Sequence, residues 1–434
     1  MHPRLPKLLS LSFMQDKDSP RPSLNCPVKT PIPTEPQDSP VAQPIFAFNE
    51  PKGEWIPWSS DGDGAHSTGD PASSGPTPLS HSIPRFFLLT WNIDFMNPLP
   101  KERIQQALSH LERLFWENAI NTPTSPVIVL LQELHKDCFQ PLLAHPFVRT
   151  NFLVTDLDAK GYWRMGSYYG TVTLIPKVLV GGRDGHVKVK EVFRTHFGNS
   201  ICCRDGLYVD LEWDLGGGDG RGSSIPTPPS TPKSSKFMSR FKFKSASTGN
   251  QEPVDRKQLI RICNVHLESL EFKDENPRTP QMKSVAQYLQ AKGVDVGVMA
   301  GDMNVHLDED RGMPEECGLV DGWKVVKKAA KASRRTPHPP SDQEDEPGED
   351  PIDLTWGFQP PLVDKEPARL DKVLMTGKVT IESLERVGYD LKYEPDLEMP
   401  AGGNGEGEEE RGSGRPTLWV SDHCGLLAEL RLAL

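Results

Sequence analysis

Four apolar runs along the chain each end in a short polar cluster. The runs are FFLL, VIVLL, VGVMA and TLWV, and the clusters that follow them occupy 90–92, 132–133, 301–304 and 421–423. Apolar runs of this length are typical of buried strands rather than of surface helices. Polar residues just beyond core strands gather at one edge of a sheet, where open α/β folds bind their ligands. The pattern therefore predicts that the four clusters converge.

Helical and strand patterns alternate in the first half of the chain. Apolar residues at Ile104, Leu108, Leu111 and Phe115 predict an amphipathic helix over 101–118. Further predicted elements are a helix over 281–292, strands over 166–175 and 369–383, a neighbouring pair of strands over 207–213 and 258–269, and a final strand within 419–430. Helices between the early strands and direct pairing of the later ones indicate an α/β protein with a mixed sheet.

Composition divides the chain into an arm and one large domain. Residues 1–84 are rich in Pro, Ser, Asp and Gly, and we expect a disordered arm. Residues 85–434 then form a catalytic domain, with disordered insertions near 215–256, 331–351 and 396–416. The basic segment 233–244 within the first insertion is a solvated loop, an arm that tracks phosphates, or a nuclear import signal.

Charge and cysteine content exclude some classes of protein. The net charge of −11 argues against indiscriminate coating of nucleic acid, although a local basic groove remains compatible with it. The seven cysteines are an odd number and include no CxxC pair, which predicts free thiols in a reducing compartment rather than a disulfide frame or a zinc site. No apolar stretch approaches the length of a membrane span, so we expect no membrane partner.

Each polar cluster has an ordinary explanation when it is considered alone. Glu133 can be a solvated strand end, Asp302 and Asn304 can form a turn, and Asp422 with His423 can be a satisfied core pair. Their joint occurrence, each after an apolar run, favours a shared site. Amide, carboxylate and imidazole groups together suit a hard cation and a phosphate ester.

Six motifs resemble one known superfamily. TWNID, LLQE, NVHLES, GDMN, RLDKVL and SDHCGLL, which lie in this order between residues 90 and 427, resemble the endonuclease/exonuclease/phosphatase superfamily. Within that superfamily, the sequences of these motifs are most similar to those of the tyrosyl-DNA phosphodiesterase branch. The resemblance implies the DNase I-like fold, an α/β sandwich of two packed mixed sheets flanked by helices.

The resemblance also implies catalytic roles. Asp302 would orient and partly deprotonate an attacking water, and Asn304 would offer an amide to the developing charge. His423 would donate toward the phosphoryl group, and Asp371 would fix its tautomer. Asn92 would bind either a water molecule on the metal or an oxygen of the phosphate.

The expected cofactor is Mg²⁺, for which Mn²⁺ can substitute. Glu133 is the main expected ligand, with Asn92 and Asp422 beside it, because Mg²⁺ needs only one or two protein carboxylates.

Four residues are expected to contact the substrate. His266 and Ser269 lie on a strand whose end faces the cleft, and the matching His of the family contacts the phosphate. Trp356 is either a packing tryptophan or a wall for a nucleobase, and Arg278 can neutralise a phosphate.

The resemblance makes a Mg²⁺-dependent phosphodiesterase the leading hypothesis. Its expected substrate is DNA that carries a 5′-protein or 5′-tyrosyl adduct, and the enzyme is expected to be a monomer of the nucleus and cytoplasm. An abasic-site endonuclease, a deadenylase, a sphingomyelinase, an inositol phosphatase and an inactive binding module remain alternatives. The segment 368–372 lacks the Trp-Cys-Asp-Arg element of inositol 5-phosphatases. Three positions depart from the branch pattern, namely Phe95, Gly357 and Cys424.

Overall fold

Two large mixed sheets form the centre of the fold. The computed structural model describes residues 39–59, 85–164, 167–180, 187–214, 257–270, 276–306, 308–334, 352–362, 366–395 and 417–433. The predicted insertions over 215–256 and 396–416, the basic segment 233–244, and most of 331–351 lie outside these ranges.

The first sheet has seven strands within the described ranges, in the spatial order β1-β8-β9-β10-β11-β13-β12. Their bounds are β1 Val41–Ala42, β8 Val187–His196, β9 Asp205–Asp214, β10 Lys257–His266, β11 Val296–Asp302, β13 Asp371–Gly377 and β12 Val320–Asp321. The predicted pairing of 207–213 with 258–269 is confirmed, since β9 and β10 are antiparallel neighbours.

The second sheet has eight strands within the described ranges, in the order β14-β17-β4-β5-β7-β6-β2-β3. Their bounds are β14 Val379–Val387, β17 Gly425–Leu432, β4 Arg85–Asn92, β5 Val127–His135, β7 Tyr169–Pro176, β6 Phe152–Val154, β2 Ile45–Asn49 and β3 Glu54–Trp58. A further small ribbon pairs β15 Lys392–Tyr393 with β16 Leu418–Trp419.

Helices flank the two sheets. They are α1 Pro100–Glu117, α2 Phe139–Ala144, α3 Pro146–Asn151, α4 Lys177–Val180, α5 Arg278–Leu289, α6 Met313–Glu316 and α7 Gly322–Arg334. The buried side chains of α4 and α7 pack against the apolar cluster that lies between the sheets. The predicted first helix is confirmed, and its four apolar positions are buried against the second sheet. Side chains of α5 and α6 pack on the first sheet, and a third apolar cluster fills the space between the sheets. The predicted sandwich of two packed mixed sheets is therefore confirmed.

The N-terminal part of the chain corrects one prediction. Residues 39–59 lie inside the predicted disordered arm, yet they contain β1, β2 and β3. We call β1 to β3 the N-terminal clip, because β1 pairs with β8 of the first sheet and β2 pairs with β6 of the second. The sequence IFAFNEPKGEWIPW carries a hairpin pattern, two apolar segments around a Pro-Lys-Gly turn, which the Pro-rich surroundings obscured.

Other boundaries also differ from prediction. The strand predicted over 369–383 is divided between β13 of the first sheet and β14 of the second, and the helix predicted over 281–292 is α5, Arg278–Leu289. Helix α7 continues to Arg334, so the first residues of the predicted insertion at 331–351 are helical. The TLWV run contributes only the two-residue strand β16. His423 lies just before β17 rather than after a core strand.

The cysteines of the described ranges agree with the expectation of free thiols. The six described cysteines, Cys138, Cys202, Cys203, Cys263, Cys317 and Cys424, are all free thiols. Among the helices of the described ranges, none combines the length and apolar character needed to cross a lipid bilayer.

Candidate active site

One edge of the sandwich brings the four polar clusters together. Strands β4 and β5 are parallel and end at this edge, as do the parallel strands β10 and β11 of the other sheet. Strands β13 and β17 run antiparallel to their neighbours β11 and β4, so they begin at the same edge. The prediction that the ends of core strands converge is confirmed by this topology.

Asp302 occupies the centre of the site. Its Oδ2 atom accepts a hydrogen bond from Asn92 Nδ2 at 2.9 Å, and its Oδ1 atom accepts from the Asn304 backbone N–H at 2.9 Å. The Nε2 atoms of His266 and His423 lie 3.4 and 3.7 Å from Asp302 Oδ2. The carboxylate is 1% exposed, so it is held in one orientation by buried partners.

His423 is paired with a buried carboxylate on its other side. His423 Nδ1 lies 2.8 Å from Asp371 Oδ2, which is the contact that the motif order predicted. Burial opposes the charge of this imidazole, yet Asp371, Asp422 and Asp302 around it raise its pKa well above the ordinary value. These three carboxylates therefore favour the protonated form of His423. Burial also opposes the charge of Asp302, but the neighbouring His423 lowers the pKa of this carboxyl.

His266 is held in the opposite protonation state by a residue that the sequence did not reveal. Arg204 Nη1 lies 2.7 Å from His266 Nδ1. Because a guanidinium has donors only, Nδ1 must accept and the ring proton lies on Nε2. Burial and the charge of Arg204 lower the pKa of His266 well below its ordinary value. Among the described residues, His266 Nε2 is buried and has no hydrogen-bond partner, although carboxylates lie nearby.

Glu133 reaches the site through an irregularity in its strand. The pairing of β5 with β7 shifts register between Leu131 and Leu134, and Glu133 adopts a φ of 52° within this bulge. Its carboxylate then lies 3.6 Å from His266 Nε2 and 3.7 Å from Arg204 Nη1. Positive φ is costly for a residue with a side chain, and such strain clusters at functional sites.

Two further site residues share this backbone feature. Asp94 has a φ of 56° and Asn304 a φ of 49°. Each costs roughly 1–3 kcal/mol and persists because the surrounding contacts determine the conformation. Three such residues around one carboxylate favour a functional explanation over a purely structural one.

The carboxylates at the edge suit a divalent cation. Burial raises the pKa of Glu133 to about 7 and that of Asp422 to about 6. The negative charges of Asp94 and Asp422 add to the shift at Glu133. Within the described ranges, no three His, Cys, Asp or Glu side chains form a complete metal cage. Mg²⁺ fits such a site, since it takes one or two carboxylates and keeps several waters.

Asn92 and Asn304 have different contacts from those expected. The Asn92 amide donates to Asp302, and its oxygen accepts from the Asp94 backbone N–H at 2.9 Å. Asn304 Nδ2 donates to the Leu267 carbonyl at 2.9 Å. Both side chains thus hold the loops that carry the carboxylates, and the geometry favours a positioning role for Asn92 over metal ligation.

Trp356 forms one wall beside His423. Its indole N–H donates to Asp422 Oδ2 at 2.9 Å, and its ring lies edge-on to His306 at a centroid distance of 5.4 Å. The Asp422 Oδ1 atom lies 3.8 Å from His423 Nε2. Trp356 therefore positions Asp422 as well as lining the site, and base stacking by this ring stays a prediction.

The substrate contacts predicted for Ser269 and Arg278 have different outcomes. Ser269 Oγ accepts from Arg204 Nη2 at 3.1 Å, so it joins the group around His266. Arg278 is 1% exposed, and its guanidinium pairs with Asp310 at 2.7 Å. The predicted phosphate contact by Arg278 is wrong, because the buried carboxylate already takes up this charge.

Two departures from the family pattern have local explanations. Gly357 has a φ of 95°, and a Cβ there would lie 2.8 Å from Pro367 Cα, so a larger residue does not fit. Cys424 is fully buried, and its Sγ lies 3.4 Å from Gln359 Oε1. Phe95 stacks on Tyr169 at a centroid distance of 3.8 Å and therefore lines the cleft.

Sequence reasoning missed Glu268 as well as Arg204. Glu268 is fully buried and accepts hydrogen bonds from the backbone N–H groups of Ile201, Cys202, Ser269 and Leu270 and from Ser200 Oγ. It ties the loop before Arg204 to the end of β10. Its place within NVHLES was the available signal, whereas nothing in the sequence around Arg204 marks it.

Several solved structures are similar to this chain. D. rerio TDP2 complexed with single strand DNA product is 16% identical, with a TM-score of 0.45 over 80% of this chain and 99% of that one. Truncated Caenorhabditis elegans TDP2 is 16% identical, with a TM-score of 0.46 over 80% and 97%. A mannosyl-6-phosphatase of Bacteroides thetaiotaomicron is 11% identical, with a TM-score of 0.43 over 80% and 99%.

Other matches include bacterial endonuclease/exonuclease/phosphatase proteins, the superfamily that the sequence motifs resemble. No protein-family model and no curated protein matches the sequence.

Proposed function

We propose that this chain is a Mg²⁺-dependent phosphodiesterase. The observation that carries the proposal is the arrangement around Asp302, where a buried carboxylate lies 3.4 Å from one imidazole and 3.7 Å from a second. Burial and Arg204 lower the pKa of the first imidazole, which favours its neutral form, whereas Asp371, Asp422 and Asp302 raise the pKa of the second, which favours its charged form. A base, a charged donor and a neutral donor thus face one point, as hydrolysis of a phosphate ester requires.

The residues divide the work of hydrolysis. Asp302 orients a water molecule and takes its proton as the water oxygen attacks phosphorus. The Nε2–H groups of His266 and His423 donate to phosphoryl oxygens, where charge accumulates. The bond between phosphorus and the leaving oxygen breaks, and this oxygen leaves with the electron pair.

The cation would be held by Glu133, with Asp422 at the same edge. When bound, Mg²⁺ neutralises charge on the phosphoryl group and on the leaving oxygen. Arg204 lies 3.7 Å from Glu133 and keeps this carboxylate aimed at the cleft.

Within this class, we propose a 5′-tyrosyl phosphodiester in DNA as the substrate. This substrate is supported by the sequences of the motifs TWNID, NVHLES and SDHCGLL. It is also supported by Trp356, whose ring lies 6.4 Å from that of His423. Loss of a phenolate needs less help from an acid than loss of an alkoxide. One charged imidazole beside the phosphate is compatible with such a leaving group.

A panel of substrates tests the proposal. Purified protein with Mg²⁺ is given single-stranded DNA bearing a 5′-phosphotyrosine, an abasic duplex, poly(A), sphingomyelin and a phosphoinositide. We expect tyrosine release and loss of activity in EDTA. Efficient cleavage of another member of the panel would overturn the substrate assignment, and full turnover in EDTA would overturn the role of the metal.

A binding measurement separates the metal site from catalysis. Glu133→Gln is expected to weaken Mn²⁺ binding, followed by electron paramagnetic resonance, with little change in thermal stability. Glu117→Gln, at the exposed end of α1, is the matched control and should bind Mn²⁺ as the parent does.

A further inference from the structure

An aromatic surface lies next to the site but takes no part in the chemistry described above. Phe358 and Tyr389 have ring centroids 5.6 Å apart. The guanidinium of Arg386 lies 5.6 Å from the Phe358 ring and 5.0 Å from the Tyr389 ring. We call these three residues the aromatic platform. Tyr389 is 61% exposed, so the surface faces solvent.

A buried amide connects the aromatic platform to the catalytic histidine. Gln359 follows Phe358 directly and is 1% exposed. Its Nε2 donates to the His423 carbonyl at 2.8 Å and lies 3.4 Å from the Gly388 carbonyl, while its Oε1 accepts from the Asp390 N–H at 3.2 Å. Both halves of the platform are therefore anchored to the backbone that carries His423.

The exposure of Tyr389 is imposed by the turn that carries it. Gly388 has a φ of 69°, and a Cβ there would overlap the buried Trp91 ring. Asp390, on the other side, has a φ of 54°. The turn presses its backbone against Trp91, whose indole N–H donates to the His423 carbonyl at 3.0 Å. The Tyr389 ring consequently projects outward from a tightly packed support.

Arg386 is also held in place. Its Nη1 donates to the Leu354 carbonyl at 2.9 Å, which orients the guanidinium against the two rings. Two aromatic faces and a planar cation offer stacking and cation–π contacts to a flat ligand. Because the platform presents two ring faces and a planar cation, a flat π-system is the ligand that it fits best.

We propose that the aromatic platform stacks an unpaired nucleobase of the substrate strand, close to the phosphate that is cleaved. The proposal rests on the proposed function, since it assigns a place to the nucleotides that adjoin the reacting group. Stacking of this kind tolerates any base, because every base has a π-face. Phe358 of the platform lies two residues after Trp356, whose ring is 6.4 Å from that of His423.

The test compares removal of the ring with removal of the base. Tyr389→Ala, Tyr389→Phe and Trp116→Ala are prepared in the full chain. Trp116 is 87% exposed and lies near the C-terminal end of α1. The N-terminal end of this helix lies beside the site, and Trp116 is about 24 Å further along the helix. It is the matched control for loss of an exposed aromatic side chain.

Binding of fluorescein-labelled, 5′-phosphorylated octathymidylate is measured by anisotropy, which requires no turnover. We expect Tyr389→Ala to raise the Kd about tenfold. Tyr389→Phe and Trp116→Ala should bind as the parent does. Octamers with a tetrahydrofuran abasic unit at each of the first four positions in turn should locate the stacked base. At that position, the abasic unit and Tyr389→Ala together should raise the Kd no more than either change alone.

Turnover is measured separately with the 5′-tyrosyl octamer and bis(p-nitrophenyl) phosphate, which has no base. We expect Tyr389→Ala to lower the selectivity for the octamer about tenfold, through KM rather than kcat. Unchanged Kd and selectivity in an active enzyme would overturn the aromatic platform and leave the proposed function standing. A weakened Kd in a protein that cleaves neither phosphodiester would support the platform and overturn the proposed function. Equal effects of Tyr389→Ala on base-containing and fully abasic octamers would show that the platform binds something other than a base.

Discussion

At the scale of single residues, two imidazoles of the site differ because of their neighbours. His423 has three carboxylates around it, whereas His266 has the guanidinium of Arg204 at 2.7 Å. A proton on His266 Nε2 and none on Nδ1 is the arrangement that can donate to a phosphoryl oxygen. Arg204 is therefore a positioning residue that acts through His266.

Replacement of Arg204 tests this role. In Arg204→Ala, Nδ1 loses its donor, so the His266 proton should distribute over both nitrogens. We expect kcat to fall about ten- to hundredfold, the range for lost partners of a functional imidazole. Nitrogen-15 chemical shifts of the His266 ring report the tautomer directly, and added guanidinium ions should restore part of the activity.

The control variant for this prediction changes Arg261, which lies on β10, the strand that carries His266. Arg261→Ala removes an ion pair with Asp210, in which the two side chains are 2.6 Å apart, without touching His266. It should reduce stability while leaving the ring shifts of His266 as in the parent. A parental tautomer in Arg204→Ala would contradict the positioning role.

Residues that follow apolar strands were predictable, and residues held by loops were not. Asp302 and His423 follow or precede core strands, so the sheet edge brings them together whatever the loops do. Arg204 lies in a loop whose shape depends on the buried Glu268, and Arg278 looks like a free cation until Asp310 is seen beside it. Their contacts are made between segments that are distant in sequence, which local patterns do not encode.

At the scale of elements, the N-terminal clip joins the free edges of both sheets. Gln43 Nε2 donates to the Thr155 carbonyl at 2.8 Å, and Gln43 Oε1 lies 3.3 Å from Arg194 Nε. Arg194 itself is fully buried between Asp156 and Asp205. A buried charge of this kind needs all of its partners, since an unsatisfied one is costly.

Removal of the clip is expected to destabilise the domain. A chain that begins at residue 60 loses the burial of Ile45 and Phe48, which are 5% and 8% exposed. Each such side chain contributes about 1.5–3 kcal/mol, so the free energy of unfolding should fall by several kcal/mol. Urea denaturation of the two truncated chains measures the difference, with a chain that begins at residue 39 as the control. Equal midpoints would show that the clip contributes no stability.

The patterns of apolar residues gave most of the correct strand predictions, and composition led to the incorrect prediction at the N-terminal clip. Alternation and apolar runs located β4, β5, β9, β10 and β11 because their side chains face a core. The clip was missed because its flanks are rich in proline, although its own pattern is that of a hairpin. The short β16 was overestimated because the apolar residues of TLWV pack beside a small ribbon rather than within a sheet.

At the scale of the whole molecule, the net charge of −11 limits how DNA can bind. Arg278 pairs with Asp310, and Arg369 pairs with Asp321 at 2.7 Å. Arg278, which the sequence offered for a phosphate contact, and Arg369 are thus both already neutralised within the fold. For the proposed DNA substrate, we expect affinity to depend on stacking and on the reacting phosphate more than on a basic groove.

The salt dependence of binding should therefore be shallow. For single strands the logarithm of affinity falls with the logarithm of salt by about 0.7 for each phosphate contact, so two or three contacts give a slope of roughly −2. Anisotropy titrations of a single-stranded oligonucleotide over a range of NaCl concentrations measure this slope. A slope steeper than about −5 would reveal a set of phosphate contacts that the described residues do not provide.

The position of β17 in the sequence also affects how the domain folds during synthesis. Strand β4 lies between β5 and β17, and β17 is the last strand of the described residues. A ribosome that adds about 5–20 residues per second needs roughly 15–70 s to pass from β4 to β17. During that interval one edge of the apolar strand β4 has no partner, and open edges invite wrong pairing. Completion of the sandwich, together with the strand that follows His423, therefore waits until β17 has been synthesised.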